Sequence, residues 1–278
     1  MPFLLRAEAP FLVGAATTYL AAMLLLWAHL FFWPREVEAP QKRSPGDWGR
    51  ALLWLGALLH LVALGGQGPA LFMNRAGVAG LFGWILIVFY LMVGHKLGQS
   101  SGSIVAPIAL VTALYSLAAP QLHAYVPAGK LDAFWLAAHV FIILLGYVAL
   151  AFAFAASLLY LVQENLLKRK KLTGLWQKLP SLGTADEWIY RATAFGLSLL
   201  TLGLFTGVAF SALQTPLYDA LRDPKVLFSA ATWAIFALYL VSRWRLGWHG
   251  RRSNLVVIYG FVAMAISFFG VPHAFPAR

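Results

Sequence analysis

Eight long apolar stretches, divided by loops whose positive charge falls almost entirely on alternate connections, restrict this chain to a bundle of helices threaded through a bilayer. In hydrocarbon every backbone N–H and C=O must be satisfied inside its own segment or by a neighbouring one, so spans of this length are helices. They run near residues 10–33, 50–66, 77–94, 103–119, 132–163, 190–214, 225–243 and 254–272. At about 20 residues per crossing, eight helices and short connections use up the 278 residues. The expected architecture is therefore all-α, a polytopic membrane bundle of about eight transmembrane helices, with residues 1–278 as a single integral membrane domain. Only 11% of residues are charged, against roughly 25% in soluble domains. The first stretch is too long for a signal peptide and lacks a small-residue cleavage site, so it reads as a retained helix.

A net charge of +11 would suggest nucleic acid in a soluble protein, but here the cations orient helices in the lipid bilayer and no nucleic-acid partner is expected. With the N-terminus outside, the cytoplasmic loops hold Arg35, Lys42, Arg43, Arg50, Lys96, Lys168 to Lys171, Lys178, Arg191, Arg243, Arg245, Arg251 and Arg252, fifteen of the 21 basic residues. The expectation is a multi-pass protein of the plasma (inner) membrane with both termini external. The run from Lys168 to Lys171 reads as a helix end reaching for anionic headgroups, with a docking surface as the other reading. The absence of cysteine excludes structural disulfides and thiol exchange, so any redox chemistry needs a bound cofactor.

Helix starts are marked by side chains that cap. Thr184 with Glu187 has the spacing of a capping box, and Thr215-Pro216 and Asp223-Pro224 each place a capping side chain before a proline suited to a first turn. The segment between those prolines is expected to be a short external helix carrying Leu217, Tyr218 and Leu221. The fifth stretch, 32 residues, is about 48 Å long as a helix and must tilt or project from a core of about 30 Å.

Histidine is the one chemically versatile residue in useful number, with seven copies. His29, His95 and His249 fall at headgroup level or in loops. His60 lies inside the second stretch, where an imidazole must find a partner on a neighbouring helix or ligate a cofactor. His139, in the outer part of the fifth helix, and His273, at the outer end of the eighth, come to the same side at similar depth. Two imidazoles on separate helices are what bis-histidine ligation of a heme iron requires. Spacing alone leaves open a shared iron or two interfacial histidines that meet water, and external His123 could replace either. The two histidine pairs on two helices of quinone-oxidising cytochrome b cannot be built from these positions.

From about residue 131 to 275 the chain resembles the cytochrome c assembly superfamily of heme-handling membrane proteins, which includes CcsA, CcmC and the HemX-like proteins. The resemblance rests on the His139-led helix ending in Leu158-Leu159-Tyr160-Leu161, Leu179-Pro180-Ser181-Leu182, Asp186 and Tyr190-Arg191. It continues through GLSLLTLGLFTG at Gly196 to Gly207, Asp223-Pro224-Lys225, Trp233, Tyr239-Leu240, Gly247-Trp248 with Gly250-Arg251-Arg252, Gly260-Phe261, and Gly270-Val271 before His273. It implies heme b as cofactor and ligation of its iron by His139 and His273. The implied role is holding or presenting heme at the external face for attachment to apocytochrome c, as a chaperone or translocation component rather than an enzyme. Another cytochrome c assembly protein is the implied partner. Stacking groups suit the macrocycle and cations the propionates, which singles out Phe210 and Tyr218, Arg222 and Lys225.

The sequence also departs from that pattern. Where family members carry a tryptophan-rich loop, residues 211–222 contain no tryptophan. Val241 stands where members with a second, intramembrane heme often have histidine, although His60 could be one half of such a site. Three readings therefore stand side by side: a heme-handling protein of cytochrome c maturation, a HemX-like regulator of heme synthesis acting through the cytoplasmic face at Lys168 to Lys178, and an unrelated small-molecule transporter.

Overall fold

The computed structural model describes residues 7–33, 44–94, 99–119, 130–171, 174–212, 216 and 221–271. Along them run α1 (Ala9–Phe31), α2 (Pro45–Gln67), α3 (Arg75–Val93), α4 (Gly102–Ala118), α5 (Lys130–Lys168), α6 (Leu175–Lys178), α7 (Leu182–Ala212), α8 (Pro224–Leu246) and α9 (Arg251–Ala265). α9 continues into a π-helical turn, Ile266–Gly270. Each of the eight apolar stretches holds one long helix. Among the described residues seven are long and apolar enough to cross a membrane, and α4, at 17 residues with Pro107 inside it, is a shorter eighth. The expectation of a polytopic helical bundle holds.

Helix ends differ from expectation because hydropathy marks hydrocarbon while capping and ion pairs decide where a helix stops. α5 has 39 residues, about 58 Å at 1.5 Å each. Its last turns lie beyond the apolar window and carry a Glu164–Lys168 pair at 2.7 Å, four residues apart on one face. It stops where Lys170 adopts a left-handed backbone, φ 54°. α7 starts at Leu182 rather than near residue 190. Its cap is the Ser181 hydroxyl, which accepts the Thr184 N–H at 3.1 Å, so Thr184 sits inside the first turn. Glu187, expected in a capping box, instead pairs with Arg191 at 2.5 Å. Asp223 caps α8 as expected, accepting the Lys225 N–H at 2.7 Å with Pro224 in the first turn. α2 opens on a capping box that the sequence reading passed over, Ser44 with Asp47.

The chain forms two compact units. One comprises Met1–Leu71, Ala76–Gln121 and Leu159–Ala185; the other comprises Phe72–Arg75, Leu122–Leu158 and Asp186–Arg278. In the first, α1 packs along α2 and α4, and small residues let the backbones approach. A Cβ on Gly56 would stand 2.5 Å from the Tyr19 ring, so only glycine admits that ring between α1 and α2. In the second unit α5 runs antiparallel to α7. A Cβ on Gly146 would stand 3.2 Å from the Gly196 carbonyl, and one on Gly196 would stand 2.8 Å from Leu150. α7 and α8 are tied antiparallel by Trp233 Nε1–H donating to Thr201 (2.7 Å) and by Asp186 with Arg243. α9 lies antiparallel to α8 and α5, with Ser229 beside Ser267 and Phe154 stacked on Phe261 at 4.0 Å between centroids. Large apolar side chains face outward, Phe205 being 74% exposed, while alanines such as Ala151, Ala153 and Ala155 fill the interior. A lipid-facing surface of this kind is expected where tails, not water, surround the bundle.

Candidate functional site

The antiparallel arrangement of the second unit gathers the N-terminal end of α5, the C-terminal end of α7, the start of α8 and the π-turn of α9 at one end. His139, Phe210, Arg222 and Lys225 all belong to that end. Asp186, Tyr190, Arg243 and Trp244 mark the opposite one.

His139 is half-buried against α7. Its Nδ1 lies 3.2 Å from the Thr206 hydroxyl, and that hydroxyl donates its only proton to the Gly203 carbonyl at 3.0 Å. A Thr206 hydroxyl that donates to Gly203 can accept from His139 Nδ1–H, and in that tautomer Nε2 carries the ring's lone pair. A neighbouring acceptor of this kind is what orients a metal-ligating imidazole. Gly207 completes the setting, since a Cβ there would stand 2.6 Å from His139 Cε1. The glycines of GLSLLTLGLFTG thus acquire physical roles: Gly196 and Gly203 admit Leu150 and Ile143 of α5, and Gly207 admits the imidazole.

Phe210 is half-buried one turn beyond Thr206, and Arg222 is exposed just before α8. Lys225 is placed differently from a solvent-facing cation awaiting propionates. Its ammonium donates to the carbonyls of Ser267, Phe268 and Val271 at the end of α9, and lies 5.8 Å from the centre of the Phe268 ring. It caps the π-turn. Arg75, at the start of α3, is a charged neighbour of Lys225 and was not singled out from sequence; its place among the few external cations was the available signal. Thr206 offered none, because a threonine in an apolar helix reads as filler. Tyr218, His273 and His123 lie outside the described residues, as do residues 213–215 and 217–220 of the loop that would carry tryptophans.

His60 belongs to the first unit and is fully buried. Its Nδ1 meets the Tyr19 hydroxyl at 3.3 Å, while Nε2 has no hydrogen-bond partner. A Cβ on Gly80 would stand 3.3 Å from that Nε2 and 3.4 Å from Leu64. Nε2 therefore lies beside Gly80 of α3, where no side chain intervenes. Val241, the other half of the imagined intramembrane site, points outward from α8, 49% exposed.

The family described as "Cytochrome C assembly protein" matches residues 72–275, well over half of the chain. The chain belongs to the cytochrome c assembly protein family. The match begins some sixty residues before residue 131, where the sequence motifs of the resemblance start. Relatives include the cytochrome c biogenesis protein CcsA of Guillardia theta, 32% identical over 190 residues, covering 61% of this chain and 62% of the relative. CcsA of Welwitschia mirabilis is 30% identical over 219 residues, covering 68% and 70%. CcsA of Chlamydomonas reinhardtii is 29% identical over 174 residues, covering 61% and 48%. Two of these matches span less than two thirds of the relative's own length. No solved structure matches the chain. Family and helices together make this an integral, multi-pass membrane protein.

Proposed function

We propose that the chain serves cytochrome c biogenesis by holding heme b at the His139 end of its second unit, the end that the basic-residue distribution assigns to the cell exterior. His139 and His273 are the axial ligands in this reading. The observation that carries it is the setting of His139: its Nδ1 lies 3.2 Å from the Thr206 hydroxyl, a neighbour that orients the ring for ligation through Nε2, at a position in the family-matched region. Heme, when bound, supplies the iron for ligation and is itself the group passed to apocytochrome c. Phe210 offers an apolar contact to the macrocycle and Arg222 a cation for a propionate. Lys225 acts by capping the π-turn, which ends three residues before His273. Tyr218 remains a stacking candidate, and apocytochrome c and a second assembly protein are the partners. The relatives' names favour assembly over the HemX-like regulatory reading and over a transporter.

The test is a visible spectrum of the purified protein. Reduced wild type should show a low-spin bis-histidine spectrum, and His139→Gly or His273→Gly should convert it to a five-coordinate species that added imidazole restores. A spectrum indifferent to both substitutions sinks the ligand assignment, and a protein purified without heme from heme-replete cells sinks the reading itself.

A further inference from the structure

His60, fully buried with one ring nitrogen unpartnered, has the features of a site for a small ligand. We propose that His60 Nε2 and Ser116 Oγ bind a single water molecule beside Gly80, extending a hydrogen-bonded chain from Tyr19 on α1 through His60 on α2 to Ser116 on α4. Both groups are buried, His60 at 0% and Ser116 at 1% exposure, and neither Nε2 nor Oγ has a hydrogen-bond partner. Both face the same point: a Cβ on Gly80 would stand 2.9 Å from Ser116 Oγ and 3.3 Å from His60 Nε2. The two do not bond to each other, and their common distance from that point brings both within reach of one small molecule.

The imidazole forces the issue. A serine in a helix can turn its hydroxyl to a carbonyl of its own preceding turn, but a histidine ring nitrogen reaches no backbone acceptor of its own helix. With Nδ1 on Tyr19, Nε2 depends on a group from outside α2. The surroundings decide what that group is. Leu64, Gly80, Tyr19 and Ser116 carry no charge, so an ion would lie unpaired in a low-dielectric interior. A water offers the two or more polar contacts that buried waters need, and the missing side chain at Gly80 is what leaves the approach to both groups uncovered. The chain has a direction: the Tyr19 hydroxyl, which meets His60, donates to Nδ1; Nε2–H donates to the water; the water donates to Ser116. It ties together three helices of the first unit and explains a buried histidine without a cofactor. This proposal does not depend on the heme reading of the second unit.

Two measurements decide it. A crystallographic or electron-microscopy map fine enough to show waters should contain a peak within hydrogen-bond distance of both His60 Nε2 and Ser116 Oγ; a map of that quality with no peak, or with porphyrin density there, overturns the proposal. In thermal unfolding, Ser116→Ala should lower the melting temperature by about 2–4 °C in wild type and by much less in a His60→Phe background, because the water has then already lost its other partner. Equal effects in both backgrounds count against it. Should His60→Phe fail to fold, His60→Gln, whose amide can also bond a water, keeps the comparison available, and Ser116→Ala should still destabilise it. Heme content must be the same in wild type and His60→Gln, and loss of heme in the variant makes His60 a ligand and ends the proposal. Should wild type carry no heme, the proposed function falls, while the map and the melting temperatures still decide this inference.

Discussion

The Thr206 hydroxyl 3.2 Å from His139 Nδ1 orients the ring, and the consequence is measurable. Thr206→Val keeps the shape and removes the acceptor, so His139 is free to rotate or change tautomer. Outer-sphere partners of this type are worth about 10- to 100-fold in metal affinity. Heme titration of the apoprotein should show a loss of that order for Thr206→Val and near-normal binding for Thr206→Ser; equal affinity in all three proteins would separate Thr206 from the site. His139 was legible in the sequence because an imidazole near the end of an apolar span has few ordinary reasons to be there. Its partner was not, since 67 residues separate it from Thr206 and only the antiparallel packing of α5 on α7 brings them together. Lys225 shows the opposite limit. Its charge was visible, but its destination was not, because backbone carbonyls at a helix end leave no mark in a sequence.

Two helix ends in this protein are closed by lysines from elsewhere in the chain. Lys178 donates to the carbonyls of His29, Leu30 and Trp33 at the end of α1, and Lys225 does the same for the π-turn after α9. The last carbonyls of a helix lack intrahelical donors and carry partial negative charge, so an ammonium is a suitable cap where lipid cannot supply hydrogen bonds. Lys225→Met should leave those carbonyls unsatisfied and cost about 1–3 kcal/mol, read as a lower melting temperature that Lys225→Arg largely restores; no change would mean that the turn finds other donors. At the other end of the same unit, Arg243 holds Asp186 through two bonds of 2.9 and 2.6 Å and lies 5.1 Å from the centre of the Tyr190 ring. Removing one partner of a largely buried pair leaves the other charge unmatched. Asp186→Ala should therefore destabilise by about 3 kcal/mol, and the Asp186→Ala, Arg243→Ala double variant by less than the sum. Strict additivity would show that the two do not act as a pair. Asp186 and Tyr190 were quoted from the sequence as family residues. That they meet Arg243 and Trp244 followed only from packing α7 against α8.

At the scale of the whole chain, the number and order of the helices were legible because bilayer thickness imposes a length on every apolar segment. Where helices continue past the lipid was not, because caps and ion pairs decide it. The division into two units also left no trace in composition: α5 passes from one unit to the other at Leu158 and Leu159 with no change in hydrophobicity. Orientation is the remaining large-scale property, and α5 offers a direct test. The helix is about 58 Å long, nearly twice the hydrocarbon thickness of about 30 Å, so its ends emerge on opposite sides. Leu131, 69% exposed, marks one end, and exposed Lys170 follows the other. The protein has no cysteine, so a single introduced thiol reports without background. The positive-inside rule predicts that the basic run beside Lys170 lies on the cytoplasmic side. A membrane-impermeant maleimide added to intact cells should therefore label Leu131→Cys, and Lys170→Cys only after the membrane is opened. The reverse pattern would invert the topology and move His139 to the cytoplasmic face, where heme presentation to an external apocytochrome is no longer possible. Labelling of both thiols from outside would mean that α5 does not cross the bilayer, and would remove the premise on which every depth assignment in the second unit rests.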